Sequence, residues 1–342
     1  MSSPPRAIGS VLALLEPTDG PLRPDGIWAS WTGARRNASG YSSARSALAA
    51  LLRFRDVERV WLPAYACAAL AEGAVARERL WYGVDAALEP DLGALEAGLR
   101  SGDAVVAIAY FGRHCGEGLR RLAASRPDVL WIEDRAQALD AEIPVWAEAA
   151  LYSPRKLVGV GDGGVLVSDA PLPAPGRPGA SRSAAQAARG RDPEGHRPEL
   201  WFPLFQAQET AFAVDDVAIS TESRQALERT ALPPLAAARV ANAAVLHAHL
   251  GDLTLWSEPL DTAPLAVPVR IARRDAVAAA LAQRGLYCAR HWPELPSNSD
   301  AFPLAHRLAG ELLSLPCDHR YDADDMLRIV AALRALQAEG AR

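Results

Sequence analysis

Short apolar runs alternate with helical patterns along the first half of the chain. Helix formers predict a helix that begins near Ser43, one over residues 66–76, one from about Asp91 and one around Leu119. The apolar runs predict strands at residues 60–62, 80–84, 104–110, 129–132, 149–152 and 165–167. Strands that alternate with helices join through right-handed crossovers into a mainly parallel, doubly wound sheet. The pattern therefore predicts an α/β fold.

The second half begins with an irregular stretch and then regains a regular pattern. Residues 171–198 are rich in Pro, Gly, Arg and Ala, which predicts a long mobile loop of the kind that often forms a lid. Helical periodicity returns from Ser223 to about Leu250, interrupted by Pro233 and Pro234. Later elements are predicted as a strand at 266–271, a helix at 274–284, strands from 286 and at 312–315, and a closing helix after 322. We therefore predict a large domain over residues 1–245 and a smaller C-terminal α+β domain over 246–342.

Composition narrows the class of protein. Half of the 342 residues are hydrophobic and the net charge is -5, which is typical of a soluble globular protein and not of a nucleic-acid binder. The cysteines at positions 67, 115, 288 and 317 form no CxxC pair and no Cys/His cluster, so we expect a reducing compartment and no metal. The first 17 residues do not resemble a signal peptide, and no run approaches about 18 apolar residues. A cytoplasmic location without a membrane span is expected.

A carboxylate follows the strand predicted at residues 129–132. In open α/β sheets, ligands bind beyond the carboxyl ends of the strands. Asp134 at such an end could hold a pyridine nitrogen protonated, which turns the ring into an electron sink. The alternative is that Asp134 only caps a helix or pairs with Arg135.

The next strand, residues 149–152, is followed by Ser153 and Lys156. A lysine beside a cationic cofactor can lose its proton and act as a nucleophilic amine, and Ser153 could reach the phosphate of the same cofactor. The alternative is a surface lysine beside a glycine-rich turn. Residues 159–164 formally match a dinucleotide fingerprint, but they lead into a strand and not a helix, which excludes that interpretation. We predict a tight turn with positive φ angles instead.

These motifs resemble the DegT/StrS family of sugar aminotransferases, which share the fold of aspartate aminotransferase (pyridoxal-phosphate fold type I). The most specific match is Ile132 to Gln137, similar to the family's EDxAQ motif, with Lys156 and a Gly-Asp-Gly-Gly sequence at 161–164 about twenty residues later. Weaker matches cover most of the chain and lie at residues 43–48, 62–65, 109–112 and 313–316.

The resemblance implies a pyridoxal 5'-phosphate (PLP) cofactor and a role for three side chains. Lys156 would bind the PLP aldehyde and, once released by substrate, carry a proton between the substrate carbon and the cofactor. Asp134 would bind the pyridine nitrogen, and Gln137 would lie near the phenolic oxygen. Lys156 and Asp134 are the expected catalytic residues.

The resemblance also implies a phosphate site and a partner. Ser153 and the backbone amides of Ala44 and Arg45 would hold the phosphate at a helix N-terminus. Family members work as homodimers with active sites at the subunit interface, so a homodimer is expected.

The chain departs from the family pattern at three places. Cys67 lies where the family has the aromatic residue that stacks on the cofactor ring. Ser153 precedes the lysine by three residues, whereas the family serine precedes it by five. Residues 201–216 replace the family segment that contacts the partner subunit.

Other candidates have simpler explanations. His291 could contact a substrate carboxylate or phosphate, but we favour a packed, hydrogen-bonded histidine. Arg113 is a candidate for binding an anionic group, whereas Cys115 has no identifiable activating partner. Trp28 and Trp31 either pack or line a substrate cleft.

The sequence therefore predicts a PLP-dependent aminotransferase that moves an amino group from an amino acid donor to a keto substrate. By resemblance, the expected acceptor is a ketosugar, either free or nucleotide-linked. Retention of Lys156 argues against the sugar dehydratase branch, in which histidine replaces lysine. The alternatives are another PLP-dependent reaction on the same fold, or a non-catalytic PLP-binding scaffold in a biosynthetic pathway.

Overall fold

The computed structural model describes residues 5–15, 20–76, 78–140, 144–260 and 262–340. The strands are β1 (Ile8–Gly9), β2 (Asn37–Tyr41), β3 (Arg59–Pro63), β4 (Glu78–Tyr82), β5 (Ala104–Ile108), β6 (Leu130–Asp134), β7 (Ala149–Tyr152), β8 (Gly164–Ser168), β9 (Ala266–Arg270), β10 (Leu286–Tyr287) and β11 (Leu312–Pro316). The α-helices are α1 (Ile27–Thr32), α2 (Ala44–Phe54), α3 (Ala68–Gly73), α4 (Leu92–Gly98), α5 (Glu117–Ser125), α6 (Pro154–Leu157), α7 (Ala184–Gly190), α8 (Phe202–Ala211), α9 (Thr221–Arg229), α10 (Leu232–Leu250), α11 (Arg274–Ala282), α12 (Pro303–Glu311) and α13 (Ala323–Gly340).

A seven-stranded sheet forms the centre of the molecule, in the order β2-β8-β7-β6-β5-β3-β4. The pairs β4-β3, β3-β5, β5-β6 and β6-β7 are parallel, and β8 is antiparallel to both of its neighbours. Every residue of β5 is buried, as expected for a strand covered on both faces. The prediction of an α/β fold with a mainly parallel sheet is confirmed.

Two small sheets lie outside the central one. β9 pairs with β11 in antiparallel register, and β1 pairs with β10 in parallel. Ile8 thereby joins an apolar cluster built mostly from residues 243–333. The predicted boundary at 245/246 falls inside α10, and the division into two domains stays a prediction.

Several predictions of single elements were wrong. The stretch 171–198 contains α7, so it is not one continuous loop. The predicted interruption near Pro233 and Pro234 is confirmed, however: α9 ends at Arg229, and both prolines lie in the first turn of α10, where a missing amide hydrogen costs little. The sequence patterns also missed α1, α8 and α12.

Candidate active site

Asp134 is the last residue of β6, at the carboxyl edge of the sheet. Successive side chains of a strand point to opposite faces, so Asp134 points away from Glu133 and Arg135. One oxygen of Asp134, Oδ1, accepts a hydrogen bond of 2.9 Å from the Ala136 amide. Burial raises the pKa of Asp134, while the charge of Lys156 and the Ala136 hydrogen bond oppose that shift. The carboxylate therefore lies in the field of the candidate lysine.

Arg135 pairs with other carboxylates. Its guanidinium donates to Glu133 at 2.8 Å and to Asp140, and both Arg135 and Glu133 are buried. The second Glu133 oxygen accepts from the Trp146 indole. Since Arg135 pairs with Glu133 and Asp140, the structure does not support the alternative in which Asp134 is only the ion-pair partner of Arg135.

Lys156 lies in α6, directly after the neighbouring strand β7, whose Leu151 is the register partner of Asp134. It is the single lysine among the 36 lysine and arginine residues of the chain. Among the described residues, its amine makes no hydrogen bond and no ion pair, although its charge acts on Asp134 and His291. The amine is therefore available to a ligand.

Ser153 precedes α6 and is 2% exposed. The described part of the chain supplies no hydrogen-bond partner to its hydroxyl, Oγ. This placement leaves the hydroxyl open to a ligand, while its role as a phosphate contact stays a prediction.

The start of α2 is formed by Ser43, whose hydroxyl accepts from the Ser46 amide as an N-cap. The amides of Ala44 and Arg45 open the helix, and the Arg45 side chain bonds Glu72 and the carbonyl of Phe212. Their predicted contact with phosphate is untested.

A carboxylate that sequence reasoning missed borders this helix start. Asp215 accepts hydrogen bonds from the hydroxyls of Ser42 at 2.7 Å and Ser46 at 3.0 Å. Arg182 lies 3.8 Å from Asp215 and offsets part of its charge. The first turn of α2 therefore carries a balanced pair of charges at its side.

Residues 208–212 cover the lysine loop. Glu209 pairs with Arg155, and the Gln208 amide donates to the carbonyl of Gly161 at 2.6 Å. The Phe212 ring contacts two guanidiniums, 4.5 Å from that of Arg155 and 4.9 Å from that of Arg182. The segment in which the family pattern is missing thus packs on its own chain's candidate site.

The glycine-rich turn after Lys156 has a structural explanation. Asp162 is buried and accepts hydrogen bonds from the amide and hydroxyl of Ser220 and the hydroxyl of Ser223. Gly163 has a φ of 133°, the only positive φ among the glycines of 159–164. A Cβ on Gly164 would lie 2.2 Å from the Ser43 carbonyl carbon. The turn therefore joins the lysine loop to both α2 and α9.

Gln137 is buried, and its side-chain oxygen accepts from the Phe111 amide. Phe111 has a φ of 54°, so this bond fixes a strained turn after β5. Cys67 is partly buried at the position before α3. Tyr65 packs 5.6 Å from Trp292, which brings aromatic rings near the segment that lacks the stacking residue.

The remaining candidates lie in packed surroundings. Arg113 pairs with Glu89 at 3.2 Å and lies 5.1 Å from the Trp256 ring. Burial raises the pKa of Cys115 well above its usual value, which disfavours a reactive thiolate. Trp31 stacks on Tyr152 at 4.7 Å, and Trp28 lies under the Arg224 guanidinium. Both tryptophans are buried.

The described residues contain neither a membrane-spanning helix nor a cluster of metal ligands. No helix within them is both long and apolar enough to cross a membrane. No group of three or more His, Cys, Asp or Glu side chains there is placed to hold a metal ion.

Known structures share this fold at low sequence identity. The PMP form of Spr1654 from Streptococcus pneumoniae, described as a sugar aminotransferase, superposes with a TM-score of 0.70 and 14% identity over 99% of this chain and 100% of that one. DesV from S. venezuelae, in complex with a ketimine intermediate, gives 0.65 and 21% over 93% and 89%. A DegT DnrJ EryC1 StrS aminotransferase from Brucella abortus gives 0.64 and 18% over 88% and 86%. No family model and no curated protein matches the chain. The fold expected from the resemblance is confirmed.

Proposed function

We propose that this protein is a PLP-dependent aminotransferase. One observation carries the proposal: the only lysine of the chain and a strand-end aspartate meet at the carboxyl ends of adjacent strands, in a fold shared with aminotransferases. That edge is where open α/β sheets bind their ligands.

The residues present fit a PLP cofactor. The Lys156 amine has no partner within the described chain, and the Asp134 carboxylate lies within the field of that amine. The Ser153 hydroxyl has no partner within the described chain. The start of α2 lies close to the lysine loop, because Ser43 and Gly163 form an isolated β-bridge. Amine, carboxylate and anion-binding donors are the three kinds of group that PLP needs.

PLP, when bound, supplies an electron sink for bonds at the substrate carbon. Asp134 would keep the pyridine nitrogen protonated, because a nearby negative charge favours the cationic form. Lys156 would attach the cofactor and later move a proton at the substrate carbon through its released amine. Gln137, held against Phe111, would keep the turn beside the ring in place.

Substrates and assembly extend the proposal. The donor would be an amino acid and the acceptor a keto compound, by analogy with neighbours that include DesI, solved with its TDP-sugar product. A homodimer is supported by three apolar side chains around the start of α8, Leu200, Phe202 and Leu204, which are 41–44% exposed. A cytoplasmic location remains part of this proposal.

The test is the absorption spectrum of the protein with added PLP, before and after excess glutamate. A visible band that needs Lys156 and that glutamate bleaches supports a transaminase. A band that no amino donor bleaches favours another PLP reaction or a scaffold, and the absence of a band removes the cofactor.

The single lysine makes the control unusually clear. After borohydride reduction, the cofactor's mass must appear on the peptide with Lys156 and at no other side-chain amine. Lys156→Arg keeps the positive charge but cannot lose its proton, so it should trap no cofactor there. Trapping at the same level in the Arg variant would refute the assignment.

A further inference from the structure

His291 is held in place from the C-terminal side of the molecule. Its ring nitrogen Nδ1 lies 2.8 Å from the Ser314 hydroxyl. Ser314 belongs to β11, and its backbone exchanges two hydrogen bonds with Ala289, at 2.9 and 3.2 Å. A ring anchored at one nitrogen on a paired strand has a fixed orientation.

The same ring lies against the turns that form the candidate site. The Phe111 ring is 5.8 Å away and nearly perpendicular, and the Phe111 amide is bonded to Gln137. The His291 carbonyl accepts from the Tyr65 hydroxyl. His291 therefore bridges the segments that follow β3 and β5 and the middle of β11.

The electrostatic surroundings keep the imidazole neutral. Burial, followed by the charge of Lys156, lowers the pKa of His291 to about 3. Lys156 and His291 do not bond to each other, and Nε2 has no partner among the described residues. His291 Nε2 and the Lys156 amine therefore each lack a partner among the described residues, and the Lys156 charge reaches the His291 ring.

We propose that His291 is a substrate-contacting residue, which offers Nε2 as a neutral hydrogen-bonding group to the ligand that reacts at Lys156. This rests on the proposed function, since that function supplies the ligand. Ser314 acts as the positioning residue, because it holds Nδ1 and so leaves Nε2 as the nitrogen open to a ligand.

Modification with diethylpyrocarbonate tests the placement without measuring activity. The reagent attacks unprotonated imidazole, and Nε2 is the nitrogen that Ser314 leaves free. Fixing PLP on Lys156 with borohydride and then adding reagent should slow modification of His291 at least five-fold. His249, exposed on α10, is the internal control and should change less than two-fold.

Two substitutions of His291 distinguish the roles of its two ring nitrogens. His291→Gln places an amide near Nε2 and should keep kcat/KM within about three-fold of wild type. His291→Asn can still bond Ser314 but not the ligand, and should lower kcat/KM about ten-fold, mainly through KM. Ser314→Ala should lower it less than His291→Asn, and unfolding midpoints show whether each variant folds.

The outcomes are distinguishable. If Lys156 traps the cofactor while His291 is modified as fast as before, or Asn and Gln behave alike, the role of His291 is refuted and the proposed function stands. If Lys156 traps nothing, both are overturned.

Discussion

Replacing Arg135 with methionine should destabilise the fold by about 3–5 kcal/mol, because it leaves a buried carboxylate without its counter-ion. Glu133 and Arg135 are 1% and 0% exposed, with 2.8 Å between the carboxylate oxygen and the guanidinium nitrogen. Without the arginine, Glu133 keeps the hydrogen bond from the Trp146 indole but loses its bonded counter-ion. Asp140 is partly exposed, so the loss of its bond to Arg135 contributes less.

The pKa shifts give the expected pH dependence. Burial raises the pKa of Glu133, and the Arg135 charge and the hydrogen bonds from Arg135 and Trp146 oppose that shift. Removing Arg135 removes the largest opposing effect, so Glu133 should take up a proton more readily. The loss of stability in Arg135→Met is therefore expected to be smaller at pH 5 than at pH 8.

Urea unfolding at both pH values measures this, with Glu133→Gln/Arg135→Met as the matched control. The double variant has no stranded glutamate charge and should be more stable than Arg135→Met alone. A loss below about 1 kcal/mol in the single variant, or a double variant no more stable than the single one, would refute the reasoning. Since Asp134 lies between these residues, the single variant should also bind PLP more weakly.

Three further predictions concern stability. Asp162→Ala removes the acceptor of three hydrogen bonds at the start of α9 and should cost about 3 kcal/mol in urea unfolding, with Asp162→Asn intermediate; equal stability of all three proteins would contradict this. Burial raises the pKa of Asp134 above its usual value of 3.8, so the folded protein holds this proton more tightly than the unfolded chain does. The stability that the bound proton contributes to the cofactor-free protein is therefore lost as the pH rises above 3.8 and through the raised pKa. The melting temperature of Asp134→Asn should not show this fall with rising pH. Wild type and variant melting temperatures that change in parallel with pH would contradict the prediction. Burial, followed by the Arg239 charge, lowers the pKa of His319 from 6.5 to about 4, so the stability that the neutral imidazole contributes is lost as the pH falls from 6.5 to about 4. His319→Gln should therefore flatten the fall of the melting temperature over this pH range, and an unchanged fall would contradict the shift.

The sequence was informative where the determinants are local. Ser43 is followed by strong helix formers, and α2 begins there as predicted, with Ser43 as its N-cap. Asp91 likewise caps α4 by accepting from the Ala94 amide. Apolar runs located β3, β5, β6 and β7 to within about two residues, because a strand covered on both faces needs side chains of that kind throughout.

Contacts between distant segments could not be predicted from one sequence. Asp215 reaches Ser42 across 173 residues, and Glu209 reaches Arg155 across 54. Neither carboxylate lies in a recognisable motif. The α8 helix was missed because none of its residues is buried, so it has no apolar stripe facing a core.

His291 shows the same limit at the candidate site. A histidine before a tryptophan and a proline favours packing, and the structure does pack it against Phe111 and Trp292. What the sequence could not reveal is that packing against β11 also holds the ring where the Lys156 charge acts on it.

Residue type at position 156 gives the strongest physical link between sequence and chemistry. Every other cationic side chain except histidine is an arginine, and many of these arginines bind carboxylates or carbonyls, as Arg135 and Arg155 do. A guanidinium suits such contacts because it is planar, multidentate and always charged. It cannot become a nucleophile, whereas an amine can. Under the proposed function, the one lysine of the chain thus occurs where a side chain must be able to give up its proton, and among the described residues its amine makes none of the bonds that the arginines make.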